Sequence, residues 1–437
     1  MKLHSTLLAA CSLVALTGVA SAETLTIATV NNGDMIRMQK LTDDFTKDHP
    51  DIDLEWVTLE ENVLRQKVTT DIATKGGQYD VLTIGNYEVP IWAKQNWLLE
   101  LSGMPSDYDE ADLLPAIAGG LSVDGKLYAA PFYGESAMVM YRTDLAEKAG
   151  VTIPAEPTWD EIMAAAKAMT DKDAGIYGIC LRGKAGWGEN MAFLGAMSNS
   201  YGARWFDMEW KPQFDTEEWK ATLTDYLDMM NNYGPPGASS NGFNENLALF
   251  QQGKCGMWID ATVAASFVTD PKESKVADSV GFALFPEKGD LGNRGNWLWS
   301  WNLAIPASTT KADAAKAFVA WATSKHYTDL VAEQDGWRAA PPGTRTSLYE
   351  NADYKEAAPF AEMTLESINA VDTNKPSVQE IPYTGAQFVS IPEFQGIGTA
   401  VGQQFSAALA GNVTADQALN NAQQLTQREM MKAGYIK

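Results

Sequence analysis

Residues 24–59 read TLTIATVNNGDMIRMQKLTDDFTKDHPDIDLEWVTL, and the change of period along this stretch decides the fold class. Thr24–Val30 alternates and is β-branched, the pattern of a strand. Residues 34–50 carry apolar side chains at helical spacing and stop at Pro50. Ile52–Leu59 is a second strand. The chain then repeats the alternation. EENVLRQKVTTDIATKGG (60–77) predicts a helix closed by Gly76 and Gly77, YDVLTIG (79–85) a third strand, and VPIWAKQNWLLEL (89–101) a helix. Strand and helix in regular succession build a parallel sheet covered by helices. Ligands of such sheets sit beyond the carboxyl ends of the strands. That rule points to Asn31, Asn32 and Asp34 after the first strand, and to Asn86, Tyr87 and Glu88 after the third.

Further along, NWLWSWNLAIP (296–306) sets Trp297, Trp299 and Trp301 at alternate positions, ahead of a helical ASTTKADAAKAFVAWA (307–322). Side chains two apart in a strand share a face. The indoles therefore either pack beneath neighbouring elements or line a cleft. GKCGMWID (253–260) and SVGFALFPEKG (279–289) read as further strands. Thr158 with Glu161, and Thr414 with Gln417, form capping boxes at helix starts. No repeat and no low-complexity linker interrupts the chain, so two domains would be lobes joined by more than one crossing.

The 437 residues suggest two domains or one large one. Hydrophobic content of 45% and charged content of 20% exclude a disordered chain. With 56 acidic against 33 basic residues, the net charge of −23 argues against nucleic acid and anionic lipid as partners. The first residues form an export signal: a charge at Lys2, an apolar run from Leu7 to Val19, and the small triplet Ala20-Ser21-Ala22. Cleavage after Ala22 predicts a periplasmic protein beginning at Glu23. LAAC at Leu8–Cys11 resembles a lipoprotein box, but too few apolar residues precede Cys11, so no lipid anchor is expected. No other stretch approaches the ~20 apolar residues of a membrane span.

Removal of the signal leaves Cys180 and Cys255. An oxidising compartment permits a bridge, but sequence does not show whether the two meet, and two separate buried thiols are expected. His49 and His326 lack neighbours at ligand spacing, so neither a metal site nor a cofactor is expected. Catalytic motifs are missing. HExxH and GxSxG are absent, and GICLRGKA (178–185) has the spacing of a phosphate loop but Ala185 where Ser or Thr must hold magnesium. DKDAG (171–175) begins like a calcium loop without its later ligands. A carboxylate pair for glycoside hydrolysis stays open, because its members can lie far apart in sequence.

DGKLYAAPFYGESAMVMYRTDLAEKAGVTIPAEPTWDEIMAAAKAM (124–169) resembles the solute-binding proteins of bacterial carbohydrate importers, the group that includes the maltose-binding protein. ALFQQGKCGMWIDATVAA, WNLAIPASTTKADAAKAFVAWATS and GWRAAPPGTR are similar to later segments of the same family, so the resemblance covers essentially all of the mature chain. NYEVPIWAKQNWL, RGKAGWGENM and WLWSWNLAIP resemble the branch that binds mannitol, sorbitol and related sugar alcohols. The resemblance implies a two-lobed α/β periplasmic-binding-protein fold. Each lobe would be a mixed, mostly parallel sheet flanked by helices, with hinge crossings between them. Lobe 1 would hold residues 23–133 and about 302–345, lobe 2 about 134–301 and 346–437. It also implies a monomer without catalysis. Such a protein captures a sugar alcohol in the cleft and delivers it to the permease subunits of an ABC importer.

Residue by residue, the resemblance puts Glu135 at the first crossing, where maltose-type relatives carry a sugar-binding carboxylate. Asn32, Asn86, Tyr87 and Glu88 occupy loops after strands, and Asp260 ends a strand facing the cleft. Trp187 and Trp299 are aromatic wall residues, with Trp337 and Arg338 near the return crossing. Ile84 and Val263 stand at or near positions where maltose-type relatives carry stacking tryptophans, which favours an acyclic ligand. Its hydroxyls both donate and accept, so matched carboxylate, amide and guanidinium groups are required.

Overall fold

The computed structural model describes residues 22–437. The expected export signal and the Cys11 alternative lie outside the described residues, except for Ala22. Five strands form the larger sheet: β1 (Glu23–Val30), β2 (Ile52–Leu59), β3 (Val81–Gly85), β4 (Ala129–Glu135) and a return strand from the Trp-rich segment. The smaller sheet has β5 (Ala137–Arg142), β6 (Met257–Ala261) and β7 (Val280–Leu284). The return strand of the larger sheet is β8 (Trp299–Ala304).

The larger sheet runs in the order β2-β1-β3-β8-β4. β1 pairs in parallel with β2 and β3, Ile27 standing opposite Trp56 on one side and Val81 on the other. β8 enters antiparallel between β3 and β4. All of β3 is buried, as expected of a strand covered on both faces. The smaller sheet departs from the expectation of mostly parallel pairing, because β5 is antiparallel to both β6 and β7. The central β5 is far from β6 in the chain, with several helices between them, and β6 leads through the helix Ala264–Val268 to β7 on the other side of β5.

The chain passes from one sheet to the other at Ser136, between β4 and β5. It returns beside that point. Asn296 brackets Ala137, its Oδ1 accepting from the amide and its Nδ2 donating to the carbonyl, each at 3.0 Å. Ser136 Oγ donates to the Trp297 carbonyl at 2.7 Å. β8 begins at Trp299, so the return to the larger sheet comes before the position of about 302 inferred from sequence; indole alternation marks a strand but not its sheet.

Both capping boxes form, at Thr158 and Thr414. The first long helical stretch breaks at Leu41 into Gly33–Lys40 and Thr42–Asp48. The helix Glu61–Thr74 ends on Lys75 in the left-handed region (φ 54°), one residue ahead of the expected glycine. Asn190–Ser200 is a helix buried on every side, at the centre of the second lobe. Cys180 and Cys255 form a disulfide with Cα atoms 5.9 Å apart, against the expectation of separate thiols. The cause is tertiary: the Cys180 segment runs beside β6, with the Cys180 amide donating to Met257 O at 2.8 Å. Among the described residues, no helix is long and apolar enough to cross a membrane.

Candidate functional site

The carboxyl ends of β1 and β4, the start of β8 and the 182–189 segment of the second lobe enclose a cleft of about 780 Å³, open mouth included. The lobes touch across it. Asn62 Nδ2 donates to Ala185 O at 3.4 Å, Lys184 pairs with Glu60, and Asn244 Nδ2 donates to Asn31 Oδ1 at 3.4 Å.

Its aromatic wall is built around one cation. The Arg65 guanidinium lies 4.0 Å from the Trp187 ring centroid and 4.7 Å from those of Trp299 and Trp301. Such contacts are worth about 0.5–2 kcal/mol each, the more so when water is excluded. Arg65 is fixed by Glu61, through Nη2 at 2.8 Å, and by Glu88, through Nη1 at 3.2 Å. Trp299 and Trp301 meet edge to face, with centroids 5.5 Å apart. Trp297 completes the wall, and its buried Nε1 has no hydrogen-bond partner. All three alternating indoles therefore reach the cleft, although only Trp299 is singled out by sequence.

A second cation stands opposite. Arg182 is held side-on by the fully buried Asp260, and its Nη1 donates to Gly188 O at 2.9 Å. Glu189 lies beside it at 3.7 Å. Burial, reinforced by Glu61, pushes the Glu189 carboxyl up to about 8 against the pull of Arg182 and Lys184.

Glu135 has no hydrogen bond or ion pair for its side chain among the described residues, although it is only 6% exposed and lines the cleft. Burial holds its carboxyl well above the usual carboxylate range, Arg182 opposing and Asp260 and Glu61 adding to the shift. With no partner from the chain and a place in the cleft lining, this carboxyl is available to donors from outside the chain. Asn32 also lines the cleft. Its Nδ2 donates to the Tyr133 hydroxyl at 2.6 Å while its Oδ1 caps the helix Gly33–Lys40.

Of the residues expected from sequence, Asn32, Glu135, Trp187 and Trp299 come together here. Four others stand behind the wall. Tyr87 packs under Trp187 and donates to Ile391 O, Glu88 anchors Arg65, Asp260 anchors Arg182, and Asn86 Nδ2 donates to Leu298 O. Trp337 and Arg338 do not reach the cleft. They border a separate recess, where Arg338 Nη1 donates to Thr269 O at 2.7 Å. Proximity of the return crossing in sequence was not proximity to the cavity. Arg65, Arg182 and Glu189 line the cleft unforeseen. RGKAGWGENM contains two of them, but one sequence does not separate cleft charges from surface charges.

A model of the bacterial extracellular solute-binding proteins matches residues 32–328. The chain belongs to this family. A mannitol-binding protein of Pseudomonas aeruginosa is 59% identical over 417 residues, 95% of either chain. An ABC-transporter solute-binding protein of Agrobacterium vitis S4, solved with bound D-mannitol, is 73% identical with a TM-score of 0.94, covering 95% of this chain and 100% of that one. A ribitol complex from Agrobacterium radiobacter K84 shares the fold at a TM-score of 0.82 and 24% identity, over 94% and 99% of the chains. This solute-binding protein is thus the substrate-binding component of an ABC importer and not an enzyme. The maltose-bound protein of Thermotoga maritima, at a TM-score of 0.79 and covering 93% and 100%, has the same two-domain architecture.

Proposed function

We propose that this solute-binding protein captures D-mannitol, or a hexitol close to it, in the cleft and hands it to the permease of its importer. The observation that carries the reading is the Glu135 carboxyl, which lines the cleft beside the indole wall with no partner among the described residues. An uncharged polyol supplies donors to such a carboxyl and lays its C–H edges on Trp187, Trp299 and Trp301. The other free polar atoms suit the same ligand: Trp297 Nε1 as donor and Glu189 Oε2 as acceptor. The mannitol named for the Pseudomonas relative and bound in the Agrobacterium vitis structure supports the choice among polyols.

Glu135, Asn32, Trp187 and Trp299 act on the ligand directly in this reading, with Arg65, Arg182, Trp297 and Trp301 beside them. Asn86, Tyr87, Glu88 and Asp260 hold those groups in place, and Trp337 and Arg338 take no part. The protein works as a periplasmic monomer, released by cleavage after Ala22 and carrying no lipid anchor. Ligand contacts from both lobes exist only when the cleft is shut, so binding shifts the population toward closure.

A thermal-shift panel of hexitols, pentitols, hexoses and disaccharides tests the reading. A ligand at 100 times its Kd adds about 2.7 kcal/mol, so mannitol should raise the melting temperature more than any hexose or disaccharide. A response to disaccharides alone would overturn it. Glu135→Ala should remove most of the affinity while the fold persists; an unchanged Kd would take Glu135 out of the site.

A further inference from the structure

Two glycines of the KAGWGEN segment, Gly186 and Gly188, sit where the first lobe's helix Glu61–Thr74 meets the second lobe. Neither has φ in the left-handed region, so their backbone conformation is open to any residue. What sets them apart is space. A Cβ on Gly188 would overlap Glu61 Oε1 and stand 2.9 Å from both Nε and Nη2 of Arg65. A Cβ on Gly186 would stand 2.6 Å from Asn62 Oδ1. Separations this short force something to move. Arg65 has little freedom to do so, because Glu61 and Glu88 hold it and Trp187 and Trp299 flank it. The obstruction would lie between lobes. Helix Glu61–Thr74 packs on β1 and β2 of the larger sheet, whereas the 180–188 segment is tied to β6 of the smaller one through Cys180 and Arg182.

We infer that Gly186 and Gly188 are closure-permitting residues, whose missing side chains let the two lobes approach far enough to complete the cleft. The role rests on the proposed capture by closing. It makes the pair positioning residues: they govern how often the wall residues Arg65 and Trp187 come into register without themselves offering a side chain to the polyol. Alanine at Gly188 stops the lobes short of contact. The apparent Kd then rises in inverse proportion to the fraction of molecules able to reach the closed form.

The test uses the mature protein, D-mannitol, titration calorimetry and small-angle X-ray scattering. Gly188→Ala and Gly186→Ala should keep the ligand-free melting temperature, raise the Kd about tenfold or more, and lose the contraction that D-mannitol produces in the wild type. Adding Asn62→Ala to Gly186→Ala removes the atom that the new methyl meets, and should bring affinity and contraction back to those of Asn62→Ala alone. Wild-type affinity and contraction in both alanine variants would overturn the inference while leaving the polyol reading intact. So would a fall in ligand-free melting temperature that Asn62→Ala does not repair, since the glycines would then serve folding. Failure of the wild type itself to bind D-mannitol would instead strike the functional reading, and this inference with it.

Discussion

Asp260 grips Arg182 side-on, accepting from Nη2 at 2.7 Å and from Nε at 2.9 Å, and both residues are buried. The remaining capacity of the carboxylate is filled by Trp258 Nε1 at 3.1 Å and the Ala261 amide at 2.7 Å. Loss of one member of a buried pair strands the other charge, at a cost of about 3–5 kcal/mol. Asp260→Ala should therefore lower the unfolding free energy by that amount in urea titration, and weaken D-mannitol binding because Arg182 is no longer aimed. Replacing both together, Asp260→Leu with Arg182→Met, should recover much of the stability but none of the affinity. A single variant within about 1 kcal/mol of wild type would show that the pair is not what anchors this wall.

Gly85 stands opposite Trp301 in the β3–β8 ladder, and the Trp299 ring lies across its face. A Cβ there would overlap Trp299, coming within 2.8 Å even of Cζ3. Gly85→Ala should push the indole into the space the ligand needs. Overpacking of this kind costs about 1–3 kcal/mol, and the Kd should rise as well. Titration calorimetry and tryptophan fluorescence of the ligand-free protein read the two effects. An unchanged Kd would mean that Trp299 is not part of the ligand surface.

How far the sequence reaches is clear from these residues. Strand and helix periods give β1, β2 and β3 directly, because each is shaped by local burial. Asn32 follows from its place at a strand end and Glu135, Trp187 and Trp299 from family resemblance, and all four face the cleft. Asp260 and Glu88 stand next to cleft cations, but their carboxylates are consumed by Arg182 and Arg65, a pairing set by contacts 78 and 23 residues apart. The disulfide was hidden for the same reason, its ends being 75 residues apart. Antiparallel pairing in the smaller sheet was hidden too, since strand periodicity carries no direction.

Closure should consume protons through Glu189. Burial comes first in raising its carboxyl to about 8, and the next cause is Glu61, which belongs to the opposite lobe. Arg182 and Lys184 from its own segment oppose the rise, and Glu60 across the cleft adds to it. A carboxyl raised above its ordinary value of 4.5 favours the closed, folded state while protonated. Its stabilising contribution is complete below pH 4.5 and is lost as the pH rises through about 8. Affinity for D-mannitol should fall across that upper range. Calorimetry in buffers of different ionisation enthalpy should show proton uptake near pH 7. Glu135, also raised, titrates in the same direction, so Glu189→Gln is needed to divide the two: it should reduce the uptake without abolishing it. Binding with no net proton change from about pH 6 to about pH 9, in wild type, would rule out the linkage.

The disulfide should contribute to stability and to the site together. Closing a loop with a sequence separation of 75 removes denatured-state entropy worth about 4 kcal/mol at 25 °C. Measured losses for native bridges are about 2–5 kcal/mol. Cys180 lies two residues before Arg182 on a segment pinned to β6, which also carries Asp260. Cys180→Ser with Cys255→Ser should therefore lower the urea midpoint and steepen the slope, because the freed denatured chain exposes more surface. Both sulfurs are buried, so a reductant should act on the folded protein slowly and on the unfolded protein fast. If the bridge also steadies Arg182, the double serine variant should bind D-mannitol more weakly at temperatures well below its own midpoint. Equal affinity there, with reduced stability, would confine the bridge to holding the lobe together and leave the aim of Arg182 to Asp260 alone.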